Sequence, residues 1–193
     1  MFSIFVDYFW KLFTFCYLRL KGVELELGGV KIYGLPLILK AKGSRIILRS
    51  GTTLISDSKY NPAGINHRVI LATMASNSII EIDGAGLSGS SIVCVKSVYV
   101  GRGSGLGANS NIYDTDFHLV DPRLRSKQTN ISTAKSDKVY IGKNVWISSN
   151  VNILKGVLIG DNSVVGCGAV VTSNVDDGCF YAGIPAVKVK KIS

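Results

Sequence analysis

Residues 139–175 read Val139-Tyr-Ile141-Gly-Lys-Asn-Val145-Trp-Ile147-Ser-Ser-Asn-Val151-Asn-Ile153-Leu-Lys-Gly-Val157-Leu-Ile159-Gly-Asp-Asn-Ser163-Val-Val165-Gly-Cys-Gly-Ala169-Val-Val171-Thr-Ser-Asn-Val175. One series of aliphatic or small residues (Val139, Val145, Val151, Val157, Ser163, Ala169, Val175) returns every six positions. A second, Ile141, Ile147, Ile153, Ile159, Val165 and Val171, keeps phase two residues ahead. An amphipathic helix needs apolar residues three and four apart, and a half-buried strand needs strict alternation. A six-residue beat fits neither. It fits a short strand followed by a corner, with an aliphatic and a small residue facing inward each time. Gly142, Asn144, Asn150, Gly156, Gly160, Asn162 and Gly168 fall at the corners, where left-handed backbone favours Gly and Asn. This is a hexapeptide repeat, the mark of a parallel β-helix.

Working outward, counting in sixes from Ile80 gives Ile80, Gly86, Ile92, Val98, Ser104 and Ser110 in one inward series. Ile82, Ser88, Cys94, Val100, Leu106 and Ile112 form the other. Gly101, Gly103, Gly105 and Gly107 suggest a dinucleotide fingerprint, but the sixth position is not Gly and no helical pattern follows. They read as corner glycines. Val23–Leu54 alternates around Gly28-Gly29, Gly34, Gly43 and Gly51, as short strands in irregular opening coils. Asp57–Arg68 is polar and reads as a loop. After Ile112 the beat fails: Ser110 to Val139 is 29 residues, not a multiple of six. The polar stretch 114–138 is therefore a long excursion, the kind of segment that usually carries function.

Three runs resemble the hexapeptide acyltransferases: Ile141-Gly-Lys-Asn-Val-Trp146-Ile, Ile159-Gly-Asp-Asn-Ser-Val-Val-Gly, and Ala182-Gly-Ile-Pro-Ala186. Within that family the chain looks most like the galactoside, maltose and nodulation-factor O-acetyltransferases and the capsule and O-antigen acetyltransferases, from about Ile79 onward. The resemblance implies an all-β, left-handed parallel β-helix with a short N-terminal helix and one long inserted loop. It also implies acetyl-CoA as co-substrate, a carbohydrate acceptor and a homotrimer with its sites between subunits. The chain divides into an aromatic-rich helix, 1–21, and the β-helix, 22–193, with the excursion at 114–138 and a tail at 176–193.

Bulk properties agree with a β-rich solenoid: 193 residues, 47% hydrophobic, 21 glycines. Cys16, Cys94, Cys167 and Cys179 show no C-x-x-C spacing, which points to a reducing compartment; Cys94 and Cys167 read as small core residues. The net charge of +9 reads as solubility, an anionic cofactor or an anionic membrane surface. Its scattered residues and the lack of a binding module argue against nucleic acid. Residues 1–21 hold Phe2, Phe5, Tyr8, Phe9, Trp10, Phe13, Phe15 and Tyr17, interrupted by Asp7, Lys11 and Arg19. They are too interrupted to span a bilayer and lack a signal-peptide pattern. Two readings stand: a helix packed on its own trimer, or a helix lying at the inner face of the cell membrane, peripheral to a cytoplasmic enzyme.

With two histidines, the choice of a base is narrow. His118 lies in Asp114-Thr-Asp116-Phe-His118-Leu-Val-Asp121, where coil passes to excursion, and one of these carboxylates, Asp116 foremost, would orient its imidazole. The resemblance aligns His118 with the family's catalytic histidine. It would remove a proton from a sugar hydroxyl attacking the thioester, in a direct-transfer ternary complex. On the acceptor side, the resemblance puts Ser88 where relatives carry an Asn. Asp121, Arg123, Arg125 and the weaker candidate His67 could meet the acceptor, and Trp146 fits a family tryptophan at the active-site groove. Indole is too large for a tight coil interior, so Trp146 should face outward or into an interface. Ser149, Cys167, Thr172 and Ser173, with Lys188, Lys190 and Lys191, would meet the pantetheine arm and phosphates. Ser173 replaces the family's Lys, and Val187 its first basic residue after the Ala-Gly-x-Pro run. No metal is expected: a trihistidine zinc site needs a third His. The same fold also serves N-acetyltransferases of nucleotide-linked amino sugars, and scaffolds; a scaffold would need neither the His118 excursion nor the basic tail.

Overall fold

The computed structural model describes residues 2–26 and 29–192, with backbone alone for 2–9 and 11. Leu27 and Gly28 of the alternating stretch, and the aromatic side chains Phe2, Phe5, Tyr8 and Phe9, lie outside the described residues. A helix, α1 (Phe2–Leu20), precedes a coil whose strands stack into three parallel sheets. Sheet I runs from Glu24–Leu25 to Leu158–Ile159, sheet II from Lys31–Tyr33 to Val187–Lys191, and sheet III from Leu37–Lys40 to Val170–Val171. Each turn of chain lays one strand on each sheet, which is a three-sided parallel β-helix. Among the described residues, every pairing between these sheet strands is parallel except the last, where Val187–Lys191 folds back antiparallel on Cys179–Ala182 after the turn at 183–186.

Both inward series of 139–175 are buried, from Val139 and Ile141 through Val171 and Val175. In register, Ile147 lies between Leu106 and Val165, and Ile153 between Ile112 and Val171, so like side chains stack along the axis. Burying each such aliphatic side chain contributes about 1.5–3 kcal/mol. The small members of the series are hydrogen-bonding staples. Ser104 Oγ donates to Gly142 O (2.7 Å) and accepts from Val145 N (2.9 Å) on the next coil; Ser110 does the same with Ser148 O and Val151 N. Asn144, Asn150 and Asn162 turn the corners at φ of +54°, +59° and +58°. Corners also stack tightly: a Cβ on Gly101 would sit 2.5 Å from Gly142 O.

Counting strictly in sixes fails at one coil. Ser88 does not face inward; Leu87 does, fully buried, while Ser88 is half-exposed on the outer side. Leu87 pairs with Leu54 and Leu106, and the corners on either side of it are each one residue short. The longer strand Ser91–Cys94, with Ile92 and Cys94 both inward, restores the phase by Val98. Cys167 is also corrected: it is exposed at a corner rather than in the core, whereas Cys94 and Cys179 are buried; all four thiols are free. At the N-terminal end Leu18 of α1 is fully buried against Val23 and Leu25 in the core.

Candidate active site

The excursion occupies the corner between sheets III and I, leaving after Asn111–Tyr113 and returning at Val139–Ile141. Asp114 anchors its root. The buried carboxylate accepts Val95 N and Lys96 N, both at 2.7 Å, and stands 3.3 Å from Cys94 Sγ. Burial raises the Asp114 pKa, opposed by the two backbone donors. Burial and the neighbouring Asp114 push the Cys94 thiol up as well, so it stays protonated. Opposite sides of the root are tied by Asp137 N to Asp114 O (2.8 Å) and Asp116 N to Lys135 O (3.0 Å).

At the tip, His118 N donates to Asp116 O at 2.6 Å, closing a three-residue γ-turn whose central residue, Phe117, holds φ +62°. A bulky residue in that conformation costs on the order of 1–3 kcal/mol and persists only where its surroundings enforce it, most often at functional sites. Here the surroundings are Thr115 Oγ1, which accepts Phe117 N (3.2 Å), and Tyr113, which meets the Phe117 ring edge-on at 5.3 Å. His118 is exposed, and among the described residues its imidazole has no hydrogen-bonding partner in the chain. It borders a hollow of about 210 Å³ shared with Phe117, Gln128, Thr129, Asn130 and Ile131.

The flanking carboxylates have different partners. Asp116 Oδ1 lies 2.6 Å from Lys155 Nζ, on the next coil. Asp121 caps α2 (Pro122–Arg125), accepting Arg123 N at 2.8 Å, and pairs with the Arg123 guanidinium at 3.2 Å, whose hydrogen bond lowers the Asp121 pKa. Asp121 and Arg123 thus use their charges on each other. His67 Nδ1 stands 2.9 Å from Arg68 O, in the loop 57–68; Asn109 tethers that loop through Asn66 N (2.8 Å) and Gly64 O (3.3 Å), next to Ser88.

The cofactor candidates fall into two places. Trp146 is 62% exposed on the outer face of sheet II, between Gly105 and Val164; Phe180 follows Val164, and Lys190 lies opposite Phe180. Ser149 O accepts Gly168 N at 3.0 Å, so Ser149 and Cys167 sit on successive coils of the adjoining corner. Lys188 Nζ is 3.0 Å from Asp176 Oδ2, while Lys190 and Lys191 are exposed. Thr172 and Ser173 are exposed on a different corner, sheet III to sheet I, one coil beyond Lys155. Within one chain, therefore, His118 and Trp146 occupy different edges of the prism. Sequence reasoning missed Lys155 and Gln128. Lys155 fills an ordinary corner position, and Gln128 sits in a stretch without periodicity.

Residues 138–173 match the bacterial transferase hexapeptide (six repeats) family. The galactoside O-acetyltransferase of Lactococcus lactis is 38% identical over 96 residues, 50% of this chain and 44% of that protein. An Escherichia coli (strain K12) protein named for O-acetyl transfer in lipopolysaccharide biosynthesis is 33% identical over 52% of this chain and 53% of its own length. The chain thus spans about half the length of these curated relatives. A maltose O-acetyltransferase from Clostridium difficile superposes with a TM-score of 0.57 at 22% identity, over 91% of this chain and 73% of that one. With repeat, coil and structural likeness in agreement, the chain is a left-handed parallel β-helix whose residues 138–173 carry the hexapeptide repeat of bacterial transferases.

Proposed function

We propose that this protein is an O-acetyltransferase that moves the acetyl group of acetyl-CoA to a carbohydrate hydroxyl, with His118 as general base. The observation that carries the reading is an exposed imidazole without an internal partner, held on a braced, strained turn at the edge of the coil. His118 takes the proton of the sugar hydroxyl as that oxygen attacks the thioester carbonyl. The tetrahedral intermediate collapses, the C–S bond breaks, and the imidazolium returns its proton to the CoA thiolate. No acyl-enzyme is needed. Asp116 is shared with Lys155 and would act on His118 only with that ammonium in the same network.

Acetyl-CoA would lie along the Trp146 edge, with Ser149 and Cys167 beside the pantetheine arm and Lys190 and Lys191 at the phosphates. That edge suits an elongated anion: an exposed indole, a small-residue corner and a basic strand follow one another along it. Joining it to His118 requires a second copy, so we read the active form as a homotrimer in which the His118 excursion of one subunit faces the Trp146 edge of its neighbour. The named relatives point to galactosides or a surface-polysaccharide sugar as acceptor. Among the described residues no helix is long and apolar enough to cross a membrane. The exposed Trp10, Leu12, Phe13 and Leu20 of α1, with Arg19 and Lys21, suit a peripheral contact with a membrane that carries a lipid-linked acceptor.

The test is transfer from labelled acetyl-CoA to a panel of galactosides and amino sugars. The reading expects a product whose acetyl group is released by mild alkali, as an ester is. An alkali-stable product would mean amide formation on an amine. No transfer to any acceptor, with no coenzyme A retained, would leave a scaffold.

A further inference from the structure

Gln128 follows α2, ten residues beyond His118, and returns to the γ-turn at the tip of the excursion. Both ends of its side-chain amide are used. Oε1 accepts Leu119 N at 2.9 Å, and Nε2 donates to Phe117 O and to Asn130 O, each at 3.0 Å. Phe117 O and Leu119 N belong to the residues on either side of His118. One planar amide therefore grips both flanks of the histidine, and its third bond ties that grip to the returning strand of the loop. Phe117 has a left-handed φ that a bulky side chain does not adopt unaided. The other braces of this turn, Thr115 Oγ1 and the Tyr113 ring, act only on its Phe117 side. On the Leu119 side, among the described residues, Gln128 is the side chain that holds the turn.

We infer that Gln128 is the positioning residue of His118: its amide fixes the backbone that aims the imidazole. This rests on the reading of His118 as the base. Geometry held before substrate arrives counts because a displacement of about 1 Å of a catalytic group can cost on the order of a hundredfold in rate. Only an amide with this reach can accept from one flank and donate to the other; a carboxylate of the same shape accepts but does not donate.

The experiment compares wild type with Gln128→Glu, Gln128→Met, His118→Ala and the double variant Gln128→Met/His118→Ala, as full-length protein. Two readouts are taken. The first is transfer from acetyl-CoA to the best galactoside of the panel. The second is the ring-proton NMR signal of His118, which is easily assigned because the chain holds two histidines. Gln128→Met should lower kcat about 10- to 100-fold, with the KM for acetyl-CoA within about twofold of wild type. It should also broaden or split the His118 signal while the His67 signal and the melting temperature stay put. Gln128→Glu, which keeps the bond to Leu119 N alone, should be impaired in both readouts. The double variant should be no slower than His118→Ala, since Gln128 works through the histidine. An unchanged His118 signal and an unchanged kcat in Gln128→Met would overturn the inference. So would a double variant slower than His118→Ala. A His118→Ala protein with the wild-type rate would overturn the reading of the base itself, and the NMR arm would still report whether Gln128 orders the turn.

Discussion

Lys155 Nζ lies 2.6 Å from Asp116 Oδ1, joining a corner of the regular coil to the residue that opens the γ-turn. Both side chains are under one third exposed, at 23% and 31%, so the pair is less screened than an open surface pair. Its contribution to global stability is about 1 kcal/mol or less. Its effect on the loop is larger, because the excursion has few other ties to the coil beyond its root. Lys155→Met should leave the melting temperature within a few degrees but speed amide exchange across 114–138 and lower the transfer rate. The swapped pair Asp116→Lys/Lys155→Asp should restore slow exchange. Equal exchange in wild type and Lys155→Met would refute the pinning role.

Asp114→Asn tests the root. The two carboxylate oxygens each accept a backbone N–H; an amide must turn its NH2 toward one of those donors. The expected loss is about 1–3 kcal/mol, seen as a lower denaturation midpoint. The pH dependence has a definite sign. Burial raises the folded-state pKa of Asp114, so stability linked to this group is complete below the ordinary carboxylate pKa and declines as pH rises through the folded value. The margin of wild type over Asp114→Asn should therefore be widest in acid and narrow toward neutrality. A margin that widens with pH would contradict the assignment.

The four thiols give a chemical map. Cys16 and Cys167 are exposed and should react with iodoacetamide in the native protein; Cys94 and Cys179 should react only after unfolding. If the pantetheine arm runs past Cys167, saturating coenzyme A should slow labelling there several-fold and leave Cys16 unchanged. Peptide mass spectrometry reads both. Equal protection, or none, would move the coenzyme off this edge.

The repeat was legible in 139–175 because two phased series leave no other period. In 80–98 it was not, since Gly86, Leu87 and Ser88 are each compatible with a corner or a rung; only the stacking of Leu87 between Leu54 and Leu106 decides. Cys167 misled because a small residue beside the repeat suits core and corner alike. Trp146 was readable as lying outside the coil interior from its volume alone. The excursion was visible as a break in phase, but its geometry was not. Phe117 carries no Gly or Asn signal for a positive φ, and the contacts that hold it, from Gln128 and Thr115, follow no period. Nor does the pairing of Asp116 with Lys155 across two coils leave a mark in composition.

The tail offers a graded test of the coenzyme reading. Lys188 is held by Asp176, whereas Lys190 and Lys191 are exposed. Lys190→Glu/Lys191→Glu should raise the KM for acetyl-CoA about tenfold, corresponding to 1.4 kcal/mol of lost binding. Lys188→Ala should change it less. The reverse order would remove the proposed phosphate site from this strand.

The most direct measurement is the steady-state rate of acetyl transfer by His118→Ala and His118→Gln beside wild type, with folding verified by the melting temperature. Loss of the general base should lower kcat by about 10²- to 10⁴-fold with the KM for acetyl-CoA nearly unchanged. A variant that transfers acetyl at the wild-type rate would contradict the account.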